Sequence, residues 1–437
     1  MSEHLTSTSV ADLLEGRLSL REARSVVAHL LQGCEACAAA LVPEPVAEDE
    51  YDGVIDLSFA TARVRAREWS AAVRWLTFYI VGGRRCFSDF PRRKKRRLAS
   101  WSLCEALLRL SFALRMDHPE EMVHFAEMAV EVASLVPWRP SEPRHLDQLR
   151  DLEARAWGEL ANAYRVADEL ALAKAALEQA YERYHVGTRT PLLLARLHDI
   201  SASLFANQRR FADAYRSLEK SRALLLTAGD WHGAGRTLIK KGLYSAYNGH
   251  PAEGIQLLTE GLNELDLDRD PDLVYRSLHN VVFLTLETGD LEKAREYLGL
   301  LRRLAEVRAG RLDRLKLRWL EGRLAAGLGD LEAAARVFAQ AKRAFERAGL
   351  FYHAAGAGLD LAAVWFRQGR TALVKGLVGE LVAAFSRVQV EREAIGALLV
   401  LDKALAQDRA TLELIEQASA ALERLTGKRG GPQQARA

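Results

Sequence analysis

The sequence has few of the residues and segments that mark several protein classes. Its 437 residues include only four cysteines and eleven prolines. Four cysteines are too few for a disulfide framework in a chain of this length. No apolar run approaches the roughly 20 residues that a helix needs to span a bilayer. The first residues do not combine positive charge, an apolar core and a cleavage site, so we expect a cytoplasmic protein with no membrane partner.

The sequence also lacks the motifs of common enzymes. It contains no G-x4-G-K-[ST] loop, no H-E-x-x-H, no G-x-S-x-G and no strand followed by G-x-G-x-x-G. The acidic segment 266–272 superficially resembles a calcium loop. However, Pro271 stands where the turn glycine belongs and Ser277 where the last glutamate belongs, which favours a solvated loop. We therefore expect no enzymatic activity.

The chain does have a repeat with a nearly constant step of 40 residues. Each copy begins with two residues typical of a turn, which we call the turn pair. A small or branched residue stands four places after the second residue of the pair. The six pairs and the residues that follow them are Asp168-Glu169 with Ala173, Arg209-Arg210 with Ala214, Gly249-His250 with Gly254, Gly289-Asp290 with Ala294, Gly329-Asp330 with Ala334, and Gly369-Arg370 with Val374. A fixed period in this range indicates a stack of identical supersecondary units, and such stacks mostly present long binding surfaces.

Residues 154–187 carry the clearest copy of the repeat. Its positions are Trp157, Leu160, Ala161 and Tyr164 on one helix, and Ala173, Leu177 and Ala180 on the next. This spacing resembles the tetratricopeptide signature W-x2-L-G-x2-Y…A-x3-F-x2-A, with Ala161 in the glycine place. The resemblance implies an all-α, right-handed superhelix (solenoid) of helix pairs, about 40 residues per repeat. The basic repeat has about 34 residues, so we expect helices longer by about one turn.

The N-terminal residues predict a separate small helical module. Residues 14–18 (Leu-Glu-Gly-Arg-Leu) are followed by His29, Cys34 and Cys37. This arrangement resembles the zinc-binding anti-sigma domain, in which an "LDGEL" element precedes H-x3-C-x2-C. The resemblance implies zinc as a cofactor, with His4 as the candidate fourth ligand. Together with the repeats, it resembles a bacterial family of tetratricopeptide proteins with an anti-sigma-like zinc-finger opening.

The spacing in this module departs from the family pattern. His29 and Cys34 are separated by four residues instead of three, which takes them off a shared helix face unless the helix breaks at Gly33. The alternative is a metal-free module in which Cys34 and Cys37 pack as small apolar side chains.

These patterns predict five parts in the chain. They are the zinc-finger-like module 1–45, an acidic linker with a helix and a basic connector 46–97, a divergent helix pair with a proline-marked joint 98–149, the repeats with a C-terminal cap 150–425, and a flexible tail 426–437.

The basic connector is the densest charge cluster in the chain. Eight basic residues and one acid lie between Arg84 and Arg97, although the net charge of the whole chain is only +3. The run Arg92–Arg97 could hold nucleic-acid phosphates, but a solvated connector is the favoured interpretation, because no nucleic-acid-binding fold accompanies it.

Cations also recur at one position of the repeat. The second position of successive first helices holds Arg155, Arg196, Arg236, Arg276 and Lys316, and Gly356 breaks the series. The fifth and ninth positions could add apolar side chains: Ile239, Leu243, His279, Phe283 and Trp319. Five exposed cations one repeat apart would bind an acidic extended peptide. Alternatively, each cation pairs with a carboxylate of a neighbouring repeat.

Three functions are compatible with these patterns. The first is a non-enzymatic scaffold or regulatory adaptor that binds a protein or peptide in the concave groove. The second is a ligand- or peptide-sensing regulator that signals through the N-terminal module. The third is transcription regulation of the anti-sigma type.

Overall fold

The computed structural model describes residues 72, 90–115, 118–138, 145–308, 310–387, 398, 401–406 and 409–419. All regular secondary structure in these ranges is helical. The chain forms two compact units, divided between Thr237 and Leu238. Within the described ranges, no helix is both long and apolar enough to cross a membrane.

The helices of the first unit follow one another with short connections. They are α1 (Arg92–Leu98), α2 (Trp101–Ala113), α3 (Pro119–Leu135), α4 (His145–Val166), α5 (Leu170–Val186), α6 (Pro191–Asn207) and α7 (Phe211–Thr227). Helix α8 (Trp231–Tyr247) contains the division between the units.

The second unit continues the same alternation. Its further helices are α9 (Pro251–Glu264), α10 (Pro271–Glu287), α11 (Leu291–Arg308), α12 (Arg311–Gly327), α13 (Leu331–Arg347), α14 (Phe351–Arg367) and α15 (Thr371–Arg387). Residues 401–406 and 412–419 are also helical, and Leu401, Leu405 and Ile415 are buried with α13–α15.

The observed helix lengths explain the period of the sequence. Helices α6 and α7 have 17 residues each, and three-residue turns follow both of them. Two such helices and two such turns make a step of 40 residues. The predicted all-α repeat of longer helix pairs is therefore confirmed. We call α4, α6, α8, α10, α12 and α14 the first helices of their pairs.

The six predicted turns are also confirmed by their backbone conformation. The first residue of each turn pair has a positive φ: Asp168 (65°), Arg209 (60°), Gly249 (90°), Gly289 (78°), Gly329 (86°) and Gly369 (73°). Glycine adopts this left-handed conformation without strain and commonly ends helices. Asp330 then caps α13 by accepting a hydrogen bond from the Ala333 amide.

The cores lie between the paired helices. The residue that occupies the large apolar position of each second helix is buried in every repeat: Leu177, Leu218, Leu258, Leu298, Phe338 and Val378. The pair α8 and α9 makes a close backbone approach. A Cβ atom added to Gly242 would lie 2.8 Å from the carbonyl oxygen of Gly254, and the reverse distance is also 2.8 Å. Side chains larger than hydrogen do not fit there without movement of the backbone.

Candidate functional site

The repeated cations do not share one environment. Arg155 on α4 is buried, with 5% of its surface exposed, and forms an ion pair with Glu105 of α2. Arg196 on α6 binds Glu159 of α4 and also Asp199 of its own helix. The expectation that both guanidinium groups are exposed and free is therefore wrong. Arg155 is removed from water and Arg196 partly so, and a cation in such surroundings requires a counter-charge.

The next repeat, on α8, does not provide a free apolar surface either. Ile239 is 3% exposed and lies in a core with Leu258 and Val281, and Leu243 packs against the same core. Their placement corrects the expectation that they line a binding surface, because helix packing has already covered Ile239. Arg236 is half-buried and has an interaction within the chain.

Arg276 and Lys316 differ from the earlier cations of the series. Arg276 on α10 is exposed, and its Nε donates to the backbone carbonyl of Asp272 at 3.2 Å. Lys316 on α12 is half-buried. Neither of them forms a salt bridge with a residue that the structure describes. Burial lowers the pKa of Lys316, Asp313 opposes this shift, and Arg276 adds to it.

Two histidines lie close enough to Lys316 to be affected by its charge. Burial and then Lys316 lower the pKa of His279 on α10 to about 3; Asn280 opposes the shift, and His353 and Arg323 add to it. The same two principal causes lower the pKa of His353 on α14 to about 4. Both rings are therefore neutral near pH 7. Nε2 of His279 and Nδ1 of His353 are buried and have no hydrogen-bond partner within the described structure.

The aromatic residues near these histidines are held by a hydrogen-bond network. Trp319 Nε1 donates to Asp360 Oδ2 at 2.6 Å, and Arg323 Nε donates to the same oxygen at 2.8 Å. Arg323 Nη1 also donates to Glu287 Oε1 at 2.8 Å. The Arg323 guanidinium lies over the rings of Phe283 and Trp319, at 4.8 and 5.1 Å from their centroids. The network fixes the orientation of both predicted aromatic residues and leaves Arg323 few free donors.

The glycine that interrupts the cation series has a packing reason. A Cβ atom at Gly356 would lie 2.9 Å from Cη2 of Trp319 on the preceding first helix. Any side chain at this position would displace the indole. The cation series therefore ends at Gly356 because the indole of Trp319 packs against α14 at this position.

The prediction from sequence missed three residues of this region: Arg323, His353 and Asp360. They lie on first helices but not at the periodic cation position, so the repeat register gives no signal for them. His353 and Asp360 contact Trp319 through the packing of α12 against α14, and Arg323 lies one helical turn after Trp319 on α12 itself.

The first unit contains a separate hollow of about 520 Å³. Its lining residues are Glu127, Val130, Glu131, Ser134, Arg150, Glu153, Trp157 and Arg183. Each of the three glutamates already has a partner: Glu127 accepts from Tyr164, Glu131 pairs with Lys95, and Glu153 pairs with Arg150. The charges of this hollow are therefore largely satisfied within the chain.

The basic run Arg92–Arg97 forms helix α1. Lys95 pairs with Glu131 at 2.8 Å, and the Lys94 ammonium lies 3.5 Å from the centroid of the Phe90 ring. These two lysines thus have contacts in the chain. A role of the run in nucleic-acid binding stays a prediction.

The predicted zinc ligands His4, His29, Cys34 and Cys37 lie outside the described residues, as do the module 1–45 and the tail 426–437. Within the described part of the chain, no group of three or more potential metal ligands occurs. In the segment that resembles a calcium loop, Asp270 caps α10 by accepting from the Leu273 amide at 3.0 Å. The zinc site stays a prediction.

Comparisons with known proteins show what the fold resembles. No protein-family model and no curated protein matches the sequence. The apo form of RapI matches 86% of this chain and 99% of its own, with a TM-score of 0.54 and 11% identity. Aspartyl phosphate phosphatase F from Bacillus subtilis matches 87% of this chain and 95% of its own, with a TM-score of 0.52 and 13% identity.

A third match is a signal transduction ATPase with a tetratricopeptide repeat sensor from Pyrococcus horikoshii. It covers 88% of this chain and 55% of its own, with a TM-score of 0.53 and 14% identity. At such identities the likeness concerns the fold alone. It agrees with the helix pairs described above: the chain has a tetratricopeptide-like helical repeat fold.

Proposed function

We propose that this protein is a non-enzymatic repeat scaffold that binds an acidic segment of a protein or peptide through the first helices of its second unit. The observation that carries the proposal is the contrast within the cation series. Arg155 and Arg196 are each paired with carboxylates of the chain, whereas Arg276 and Lys316 form no salt bridge within the described residues. A cation without an internal counter-charge keeps its capacity for an external one.

The spacing of the two cations suits an extended ligand. Arg276 and Lys316 occupy equivalent positions on α10 and α12, which are successive first helices. Acidic side chains of one extended segment could reach both of them. The rings of Trp319 and Phe283, which lie on the same two helices and are held by Arg323, offer apolar surface for such a segment, and rigid aromatic side chains lose little conformational entropy on binding.

The fold is compatible with this role. The protein from Pyrococcus horikoshii combines an ATPase with a tetratricopeptide repeat sensor, and one of the other matches is named a phosphatase. Repeat proteins of this kind use extended surfaces for recognition. We assign no catalytic step to this chain, and we propose that any regulatory action follows from binding.

The test begins with capture of partners from the native cell and mapping of the bound segment to a synthetic peptide. Affinity is then measured with purified protein. The double variant Arg276→Glu/Lys316→Glu should bind the mapped peptide at least about tenfold more weakly, because attraction becomes repulsion. Wild-type affinity should fall steeply with salt.

The control is Arg318→Glu, which makes the charge change of one half of the double variant at an exposed position of α12. It lies two residues from Lys316 and therefore on another face of the helix. Equal affinity in the double variant and in Arg318→Glu, or a mapped segment without acidic residues, would contradict the proposal.

A further inference from the structure

The basic helix α1 is an ordered part of the first unit, although its composition is typical of a solvated linker. Leu98 and the preceding Phe90 pack against the core of this unit, and the adjoining Ala99 is buried in that core. Lys95 forms a salt bridge with Glu131 of α3 at 2.8 Å. These contacts fix the orientation of α1, so its other side chains project in defined directions.

Four arginines share the face of α1 that points away from α3. They are Arg92, Arg93, Arg96 and Arg97. At about 100° per residue, these side chains cover about 140° of the helix circumference, and the face with Lys95 and Leu98 lies on the opposite side. All four arginines are exposed, and none of them forms a salt bridge with a residue that the structure describes. We call these four residues the arginine face.

The arginine face does not stabilise the chain by itself. Arg92 and Arg96 are four residues apart, as are Arg93 and Arg97, and like charges at this spacing repel each other on a helix surface. Helix α1 contains no acid that could offset this repulsion. A bound polyanion would remove it, so the arginine face is suited to a partner of high negative charge.

The density of the four charges distinguishes between a nucleic acid and an acidic peptide. A helix rises about 1.5 Å per residue, so the arginine face spans about 7.5 Å along the axis of α1. A nucleic-acid duplex carries one negative charge per about 1.7 Å of its axis, which is a comparable density. An extended acidic peptide presents one carboxylate per about 6.6 Å on each face, because successive side chains point to opposite sides. The duplex therefore matches the arginine face, and the peptide does not.

The neighbouring side chains restrict the partner further. Proteins that bind single-stranded nucleic acid stack the bases on accessible aromatic rings. Phe90 and Trp101 are half-buried against the core, and the Lys94 ammonium lies 3.5 Å from the centroid of the Phe90 ring. Helices that bind membrane surfaces insert apolar side chains into the lipid. The only apolar side chain of α1, that of Leu98, packs against the core instead.

We propose that the arginine face binds the phosphate backbone of double-stranded nucleic acid without reading its sequence. The guanidinium groups donate to phosphate oxygens, for which their planar geometry is well suited. Contacts of this kind supply affinity and position but carry no sequence information. The proposal is independent of the scaffold function, which uses the second unit.

The test is fluorescence anisotropy of the full chain with labelled duplexes of about 20 base pairs and unrelated sequences. At about 150 mM salt the dissociation constant should lie between about 1 and 100 μM, with little difference between sequences. Neutralising four phosphates gives a slope of about −3.6 in a plot of log affinity against log salt, so binding at about 50 mM salt should be about fiftyfold tighter.

The decisive variant replaces all four arginines of the arginine face by glutamine. It should bind at least about tenfold more weakly at 50 mM salt and lose about three to four units of the salt slope. Folding should be unaffected, because the arginines are exposed and form no internal salt bridge; circular dichroism checks this. Arg93→Gln and Arg97→Gln alone should each lower the slope by about 0.9, which gives a graded second readout.

The matched control removes four exposed arginines that also form no salt bridge within the described residues. They are Arg303, Arg318, Arg336 and Arg343 of the second unit. Their replacement by glutamine makes the same change in net charge and should leave duplex affinity within about twofold of the wild type. An equal loss in this control, or wild-type affinity in the variant of the arginine face, would overturn the proposal.

Other polyanions test the identity of the partner. DNA and RNA duplexes share the phosphate chemistry, so binding of either supports the proposal, and the tighter one indicates the natural source. Polyglutamate at an equal concentration of charge should compete poorly, since its charge density on one side is lower. Equal competition by polyglutamate would refute the preference for a phosphate backbone. Binding to vesicles with about 30% phosphatidylserine in the absence of duplex binding would show that the face is a membrane contact instead.

Discussion

Arg196 and Glu159 form a bidentate ion pair that joins two successive first helices. Nε of Arg196 donates to Oε1 of Glu159 at 2.9 Å, and Nη2 donates to Oε2 at 3.0 Å. Glu159 is 4% exposed. Parallel donors matched to both oxygens of a carboxylate are among the stronger polar interactions in proteins. The pair therefore connects α6 to α4 and leaves Arg196 with little capacity for a ligand.

We expect Glu159→Gln to lower the free energy of unfolding by about 3 kcal/mol, since it leaves a largely buried guanidinium without its main counter-charge. Urea unfolding followed by circular dichroism measures the change. The control is Glu178→Gln, because Glu178 is exposed and its oxygen lies 3.8 Å from Lys174. The control should cost less than about 1 kcal/mol. Equal losses in the two variants would show that the bidentate pair has no special stabilising role.

The sequence predicts the cation series but not which of its cations form an ion pair with a neighbouring repeat. The residue that faces each cation on the preceding first helix, which we call the partner position, explains why. Arg196 binds the residue four places after the cation position of the preceding first helix. For Arg276 the corresponding residue is Lys240, and for Lys316 it is Asn280. Neither can neutralise a cation. Turns, period and helix lengths were predictable because they depend on local chemistry, whereas the state of each cation depends on pairing between repeats.

The partner position of Lys316 suggests a variant that should weaken binding of the acidic peptide. Asn280→Glu places a carboxylate on α10 where Glu159 stands on α4, so it should pair with Lys316 as Glu159 pairs with Arg196. We expect the variant to bind the acidic peptide about tenfold more weakly or worse, because the internal carboxylate competes with the ligand. Fluorescence anisotropy with the labelled peptide measures the loss. Asn280→Gln is the uncharged control, and a similar loss in it would point to sterics instead of charge.

The backbone approach between α8 and α9 gives a prediction with an internal control. Gly242→Ala brings its Cβ to 2.8 Å from the carbonyl oxygen of Gly254, so the helices must separate. We expect a loss of about 1–3 kcal/mol in the free energy of unfolding. Gly299 lies inside α11 and its added Cβ would meet nothing within 4 Å. Gly299→Ala should therefore stabilise the protein by about 0.5–1 kcal/mol, since alanine has the higher helix propensity. Denaturant midpoints of the two variants should move in opposite directions, and a shift in the same direction would contradict the packing argument.

The half-buried histidines His279 and His353 predict how the stability of the second unit depends on pH. The pKa of His279 is lowered from 6.5 to about 3, and that of His353 from 6.5 to about 4. Above pH 6.5 both rings are neutral in the folded and unfolded chain, so neither affects stability. Between pH 6.5 and pH 4 the unfolded chain binds protons that the folded chain does not. The free energy of unfolding should therefore fall with falling pH, by up to about 1.4 kcal/mol per pH unit for each histidine.

The double variant His279→Gln/His353→Gln should flatten this slope, because neither glutamine takes up a proton when the chain unfolds. Urea unfolding at several pH values from about 6.5 to 4.5 measures it, at constant ionic strength. His250→Gln provides the comparison, since His250 is exposed in the turn before α9. If the double variant and the wild type lose stability equally as the pH falls, the two histidines do not carry the acid sensitivity of this unit.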